Sequence, residues 1–498
     1  MQPQHELNPA GDGFSGVSSV KNPAERSTEL SRWVEHVTKQ LIEDLPENEN
    51  HLTGAYDEGA AVAALLSELR PRKIPRNSPN DTPGSHHHWS TTTNNLDEFQ
   101  NAKRPPATTT KPPDAAAAAN DEPAGLNLIT LLLECAVAVS VDNLGEARRM
   151  LLELTEIASP YSASCAERVV AYFAKAMSSR VINSWIGVSA PLVHNTTAIY
   201  SAFQIYNNLS PFVKFSHFTS NQAILEAFHR QTRVHIIDID IMQGLQWPAL
   251  FHILSTRPEG PPHVRMTAFG PDPDLLSETG RQLSVFAKRV GIRFDFRPIN
   301  KKCGEIEDIP TYSNETVAVH WMQHSLYDAA GPDRRLMGLL HRVRPRVVTL
   351  VEQEIAHGGS FLDRFVVSLH YYSTMFDSIG SFSPVDDPGR YRVEQCLMHR
   401  EINNVLAVGG PARSGEDKYR HWRSELSRNG FSQIPMSSNS MAQAQLIVNM
   451  FPNNYGNNNN NYGNGYSLVQ GDGILRLGWK DTSLYTASAW TSPNSFKS

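Results

Sequence analysis

Apolar residues recur at three- and four-residue intervals from Leu126 onward: Leu128, Leu131, Leu132, Cys135 and Val139, then Leu144, Ala147, Leu151 and Leu154 after a break at Val141-Asp142-Asn143. That spacing predicts a helical hairpin. A third helix is expected over about Ser164 to Ile182, carrying Val169, Tyr172, Phe173, Ala176 and Met177, with further helices through Tyr200 to Tyr206 and Asn221 to His229. An all-helical block, residues 124–232, thus precedes the first strand.

At Val234 the period changes. The run Val234-His235-Ile236-Ile237 ends in two carboxylates, Asp238 and Asp240, then Gly244, and Trp247-Pro248 opens a new helical pattern. A buried strand running into a helix with proline in its first turn is the reading, because a missing N–H is harmless there. Strands follow at His263 to Phe269, Phe294 to Ile299, Thr316 to Met322 and Val347 to Glu354, separated by helical stretches over Trp247 to Thr256 and Asp274 to Val290 and others starting near Asp333 and Ser360. Such alternation calls for right-handed crossovers and a doubly wound parallel sheet. Beyond it, helices are expected at Tyr391 to Asn404, Lys418 to Arg428 and Met441 to Phe451. An Asn/Gly/Tyr loop follows, then a hairpin of Tyr466 to Gln470 and Ile474 to Trp479 about Gly471-Asp472-Gly473, and an extended Leu484 to Trp490. The predicted class is α/β: a Rossmann-like, methyltransferase-like, mostly parallel sheet (residues 233–498) with a helical cap and a C-terminal β-hairpin.

Ligands of open α/β sheets sit beyond the carboxyl ends of the strands. A nucleotide loop needs glycines there so that backbone can approach the ligand. Here Asp240 and Met242 occupy two of three such positions and only Gly244 fits, so the pocket is expected to be blocked and no cofactor is expected. The acids and imidazole at strand ends, Asp238 with Asp240, Glu352 with Glu354, and His320, could bind a metal or exchange protons. They could equally cap helices and hold loops. The missing glycines favour the structural role, and no metal is expected. His357-Gly358-Gly359-Ser360 has the look of a hydrolase oxyanion loop, but the chain has no G-x-S-x-G elbow. Gly409 to Gly415 contains Pro411 and lacks a following Lys-Ser/Thr pair, so it reads as a turn rather than a phosphate cradle.

Residues 1–123 are rich in Pro, Asn, Ser, Thr and Ala and bury too little apolar surface to order, apart from two islands of helical spacing, Trp33 to Ile42 and Ala61 to Leu69. Within residues 1–123, Arg70, Arg72, Lys73 and Arg76 form a patch suited to an acidic import groove, or simply a solvated linker. Four cysteines, Cys135, Cys165, Cys303 and Cys396, stand far apart, in neither metal nor disulfide spacing, which suits a reducing compartment. A net charge of -6, with no DNA-binding motif, favours protein partners over unassisted DNA reading. The most apolar run, Leu126 to Val139, is broken by Asn127, Thr130 and Glu134, so no membrane span is expected and a soluble intracellular protein is. Leu128-x-x-Leu131-Leu132 fits a partner's groove as well as a core stripe.

Several of these pieces also resemble one family. Val234-His235-Ile236-Ile237-Asp238 is similar to the VHIID motif of the GRAS family of plant transcriptional regulators, and the string from Asp240 to Pro248 with Phe251 to Leu254 resembles its SCARECROW branch. Later matches come in order: Tyr372 with Arg400-Glu401 for the PFYRE region, Trp422 with Gly430, and Trp479 with a closing Ser488-Ala489-Trp490. The resemblance covers roughly residues 124–498. It implies a non-enzymatic nuclear regulator, active in developmental patterning, that pairs with a SHORT-ROOT-type GRAS protein. It also implies that indeterminate-domain C2H2 zinc-finger factors bring it to DNA. The competing reading is an S-adenosylmethionine-dependent methyltransferase-like enzyme.

Overall fold

The leucine stripe seats the first helix, α1 (Asp121–Ser140), against α2 (Leu144–Ile157), with Asp142 in left-handed conformation at the turn and the Asn143 side chain accepting from Glu146 N–H at 3.4 Å. The computed structural model describes residues 121–186, 196–324, 335–355, 359–406, 421–451 and 465–493. Three more helices complete the predicted block: α3 (Cys165–Ile186), α4 (Thr196–Leu209) and α5 (Phe212–Ala227). The islands, the Arg70–Arg76 patch and the Gly409 to Gly415 turn lie outside the described residues.

Alternating elements follow: β1 (Arg233–Asp238), α6 (Trp247–Ser255), β2 (His263–Phe269), α7 (Pro273–Arg289), β3 (Phe294–Ile299), β4 (Thr316–Met322), α8 (Leu336–Val343) and β5 (Val347–Gln353). Helix starts carry their own chemistry. Asp272 accepts from the N–H groups of Asp274 and Leu275 at the start of α7, and Ser360 with Asp363 forms a capping box for α9 (Phe361–Gly380). Next come α10 (Pro388–Val393), a π-helical turn at Glu394–Met398 and α11 (His399–Leu406), where sequence spacing predicts one continuous helix. The remaining described elements are α12 (Trp422–Arg428), β6 (Ser432–Ile434), α13 (Ser438–Asn449), β7 (Tyr466–Gly471), β8 (Ile474–Trp479) and β9 (Thr482–Thr491).

All the described strands join one sheet in the order β3-β2-β1-β4-β5-β9-β8-β7, with β6 beside the end of β9. The first five are parallel, and the rest add antiparallel. Because side chains alternate across a strand, Val234 and Ile236 enter the large core shared with the helical cap, whereas Ile237 faces a second core with Val319, Val348, Leu350, Leu340 and Trp490. The mostly parallel Rossmann-like class thus holds, with the helices before β1 lying on the larger core. Among the described residues no helix is long and apolar enough to cross a membrane.

Candidate functional site

The crevice beyond β1 is built by a short loop. After Asp238 the chain turns so that Ile241 N–H reaches Phe269 O at 2.9 Å and Gly244 N–H reaches Ile241 O at 2.8 Å. Met242 takes φ +47° and Gly244 φ +65°. A Cβ at Gly244 would lie 2.9 Å from Thr279 Cγ2, so glycine is needed there on both counts. Met242 is the unusual member, a buried thioether in a left-handed backbone, held where Thr279 Oγ1 donates to its carbonyl at 3.3 Å.

Asp238 stands at the floor. Its carboxylate accepts Trp247 Nε1–H at 2.9 Å and Asp240 N–H at 3.2 Å, and burial pushes its pKa up to about 8, the Trp247 bond opposing and the Asp240 charge adding. Asp240 lies past the strand end rather than on it, and its Oδ2 is 3.0 Å from His324 Nε2. Burial works against a charge on His324, but Asp240 outweighs it and raises its pKa. His320 bonds Thr349 Oγ1 through Nδ1 at 3.0 Å, meets the Trp247 ring edge-on at 5.6 Å, and is pushed down to about 3 by burial and by His217. The indole of Trp247 therefore occupies the middle of the crevice.

What space remains is a cavity of about 20 Å³ among Asp238, Asp240, Met242, Trp247, His320 and Phe203. That is room for about one water, against the several hundred Å³ that a nucleotide-sized ligand requires. S-adenosylmethionine does not fit the residues present. The second acid pair serves a different purpose. Glu352 and Glu354 both bind Arg423, at 2.6 and 2.8 Å, and Glu352 also accepts Trp422 N–H at 2.8 Å, which ties α12 to β5. Burial nonetheless pushes Glu352 up to about 7, while Arg423 and Thr486 hold Glu354 down. Among the described residues no group of three or more His, Cys, Asp and Glu is arranged for a metal ion. Ser360, the end of the oxyanion-like string, is an N-cap, and His357 and Gly358 lie outside the described residues.

A model of the GRAS domain family matches residues 128–491. The chain belongs to the GRAS domain family. Over 376 residues it is 52% identical to Protein SCARECROW of Arabidopsis thaliana, covering 74% of this chain and 56% of that protein. Over 377 residues it is 52% identical to Protein SCARECROW of Ipomoea nil, covering 74% of this chain and 47% of that one. The chain thus spans about half the length of these curated relatives. Scarecrow-like protein 23 of Arabidopsis thaliana is 47% identical over 385 residues, covering 75% of this chain and 91% of the relative. Among solved structures, the crystal structure of SCL7 from Oryza sativa superposes with a TM-score of 0.60 at 32% identity, covering 73% of this chain and 99% of that one.

Within this GRAS domain the motif residues are internal supports. His235 is fully buried; Arg265 can only donate to its Nδ1 (3.0 Å), so its Nε2 carries the proton and donates to Thr267 Oγ1 at 2.9 Å. Burial and the nearby Arg265 and Arg297 push its pKa down to about 3, so it stays neutral. Tyr372 and Glu401 come together at 3.2 Å, joined by Gln353 Nε2 at 2.9 Å, and the neighbouring Arg400 is half-buried. Trp422 packs on Trp321 with ring centres 4.4 Å apart, and Gly430 turns the chain after α12 at φ +79°. Trp479 donates to Asp377 at 2.6 Å on the larger core, whereas Trp490 donates to Ser488 at 2.9 Å on the smaller, with Ala489 buried between them in sequence. These two indoles therefore clamp the antiparallel half from opposite faces.

The leucine string sits differently from a groove-binding motif. Leu128 and Leu132 are buried in the cap core and Leu131 is half-buried, because three-and-four spacing turns them toward α2 and α3. The apolar residues that α1 does expose are Leu126, Leu133 and Val137, with Val141 just beyond its end. Sequence spacing missed this second row because the first one already accounted for the helix.

Proposed function

We propose that this GRAS protein is a nuclear plant transcriptional regulator of development that acts through protein contacts instead of catalysis. The observation that carries the reading is the crevice at the end of β1, closed by Asp240, Met242 and the Trp247 indole where an enzyme of this architecture would hold its cofactor. The identity to SCARECROW proteins supports it. Its partners are a SHORT-ROOT-type GRAS protein and indeterminate-domain C2H2 zinc-finger factors, the latter bringing it to DNA, and the Arg70, Arg72, Lys73 and Arg76 patch serves import. The exposed row Leu126, Leu133, Val137 and Val141, at helical spacing on the face opposite the core, is a surface that such pairing can cover.

Two measurements test this. Co-precipitation with a SHORT-ROOT-type protein should be lost on Leu133→Lys with Val137→Lys while thermal stability stays within about 0.5 kcal/mol of the parent, as for exposed sites. Calorimetry with S-adenosylmethionine should show no binding; micromolar binding abolished by Asp238→Ala refutes the regulator reading in favour of a methyltransferase-like enzyme. Tight, sequence-specific promoter binding by the purified protein alone contradicts recruitment by zinc-finger factors.

A further inference from the structure

At the end of the sheet remote from the filled crevice, β1, β2, β3 and β5 begin, and α5, α6, α7 and α8 end. Four arginines stand on this rim: Arg230 before β1, Arg293 before β3, and Arg344 and Arg346 before β5. All four are exposed, and among the described residues none of them is held in an ion pair. The acids at the same end are already engaged. Glu226 accepts from Ser437 and Gln222, Glu259 faces His229 at 3.7 Å, Asp295 meets His263 at 2.6 Å, and Glu315 is buried beneath Arg233 and Arg265. Only Glu315 is balanced by arginine; Glu226, Glu259 and Asp295 keep their charge beside hydroxyl, amide and imidazole partners. The four exposed guanidiniums together with Lys288, Arg289 and Arg342 in the last turns of α7 and α8 outnumber them, so this edge of a chain with a net charge of -6 is positive.

Backbone conformation supplies an independent observation. Four turns on this rim contain a left-handed residue. In two of them it is glycine, Gly260 (φ +81°) and Gly291 (φ +74°), and in the other two it is Arg230 (φ +58°) and Arg344 (φ +51°). Glycine is the unstrained residue after a helix end, as the first two turns show. Cations that merely answer helix dipoles belong in the last turn, where α7 has Lys288 and Arg289 and α8 has Arg342. Placing arginine at the strained positions needs another reason, and outward display of a guanidinium is one.

We propose that this rim contacts the phosphate backbone of duplex nucleic acid without reading sequence. In the order β3-β2-β1-β4-β5, strands carrying these arginines alternate, so the row runs across four strand spacings, roughly 19 Å at ~4.8 Å each. That length matches about six base pairs at ~3.4 Å per step. Planar guanidinium groups suit phosphate oxygens, and phosphate contacts position a protein on a duplex without specifying bases. The four turns expose no large apolar side chain, whereas an acidic peptide partner would need apolar anchors. Such a surface complements recruitment by zinc-finger factors, on which it does not depend, by adding contacts once a partner has chosen the site.

The test uses the full chain and a labelled duplex of arbitrary sequence, followed by anisotropy from 50 to 200 mM salt. Four neutralised phosphates give a slope of about -3.6 in log affinity against log salt. The double variant R230G/R344G should keep its melting temperature or raise it, since glycine is what the neighbouring turns use. Its slope should weaken by about 1.8 and its affinity at 50 mM salt should fall on the order of 100-fold. Native affinity and slope in R230G/R344G, no duplex binding by the parent, or preference for polyglutamate over duplex each overturn the proposal. Tight binding of one promoter sequence that survives R230G/R344G overturns both this assignment and indirect recruitment. Absence of salt-sensitive binding overturns this assignment alone.

Discussion

Replacing Asp238 with asparagine tests whether the crevice beyond β1 holds a neutral acid. In the unfolded chain this carboxyl ionises near 3.8, and in the fold burial pushes it to about 8. Between those values the folded chain binds the extra proton, so the stability contributed by this group is fully present below 3.8 and is lost as pH rises toward 8. The slope is at most about 1.4 kcal/mol per pH unit. Four buried histidines, His217, His235, His320 and His399, are pushed down to about 3 and act in the opposite sense, but only below the ordinary imidazole value of 6.5. Above 6.5 those four histidines no longer contribute, and the groups that still titrate there besides Asp238, namely Glu352 and His324, are present in both the parent and D238N. Asparagine is neutral like the protonated acid and its oxygen can accept from Trp247, but its amide nitrogen cannot accept Asp240 N–H as the second carboxyl oxygen does, a loss that is the same at every pH. Urea unfolding at pH 6.5, 7.25 and 8 should show the parent losing up to about 2 kcal/mol relative to D238N over that interval. Any effect of Glu352, pushed to about 7, is common to both proteins and cancels in the difference. Parallel stability curves would show that Asp238 is ionised in the fold and that the reasoning fails.

Three further outcomes follow from the packing. Trp490→Ala should cost about 3–5 kcal/mol in denaturant unfolding, because the indole is 96% withdrawn from solvent at 4% exposure and closes the smaller core. Gly280→Ala puts a Cβ 2.4 Å from the Phe296 ring, so α7 must shift from β3 at a cost of about 1–3 kcal/mol, read as a lowered melting temperature. Arg423→Ala leaves Glu352 and Glu354 without their cation and should destabilise by about 3 kcal/mol at pH 8. The loss should shrink by pH 5, where the freed Glu352 takes up a proton; an equal loss at both pH values argues against an electrostatic cause.

Four of the first five strands were legible in the sequence as short, largely apolar runs, and β1 with its Trp247-Pro248 helix start was clearest, whereas β3 showed itself by the alternation Phe294-Asp295-Phe296-Arg297 of a half-exposed edge strand. Blockage of the crevice was also legible, since it needs only the side chains of Asp240 and Met242 where glycines would stand. Other features were hidden for physical reasons. β6 is three residues, Ser432 to Ile434, two of them exposed and polar, and exists only because β9 offers an edge to pair with. The π-helical turn begins at Glu394, whose buried carboxylate is bonded at 3.1 Å by Arg168, a partner 226 residues earlier in the chain that local spacing does not reveal. Asp238 and Asp240 read as a pair of acids at the strand end, but the strand stops at Asp238 and a loop bond joins them. The pairing of Glu352 and Glu354 with Arg423 spans about 70 positions, a distance at which spacing carries no information.

β9 has a consequence for how the molecule is made. Although it follows every other described strand in chain order, it lies inside the sheet, bonded to β5 on one side and to β8 and β6 on the other. On a ribosome, the parallel half would emerge with its β5 edge bare and wait until β9 has been made before that edge is covered. A bare edge of this kind invites pairing with another chain. Premature stop codons only a few positions short of Trp490 should therefore yield aggregates, with none of the partial activity that losing a tail would leave.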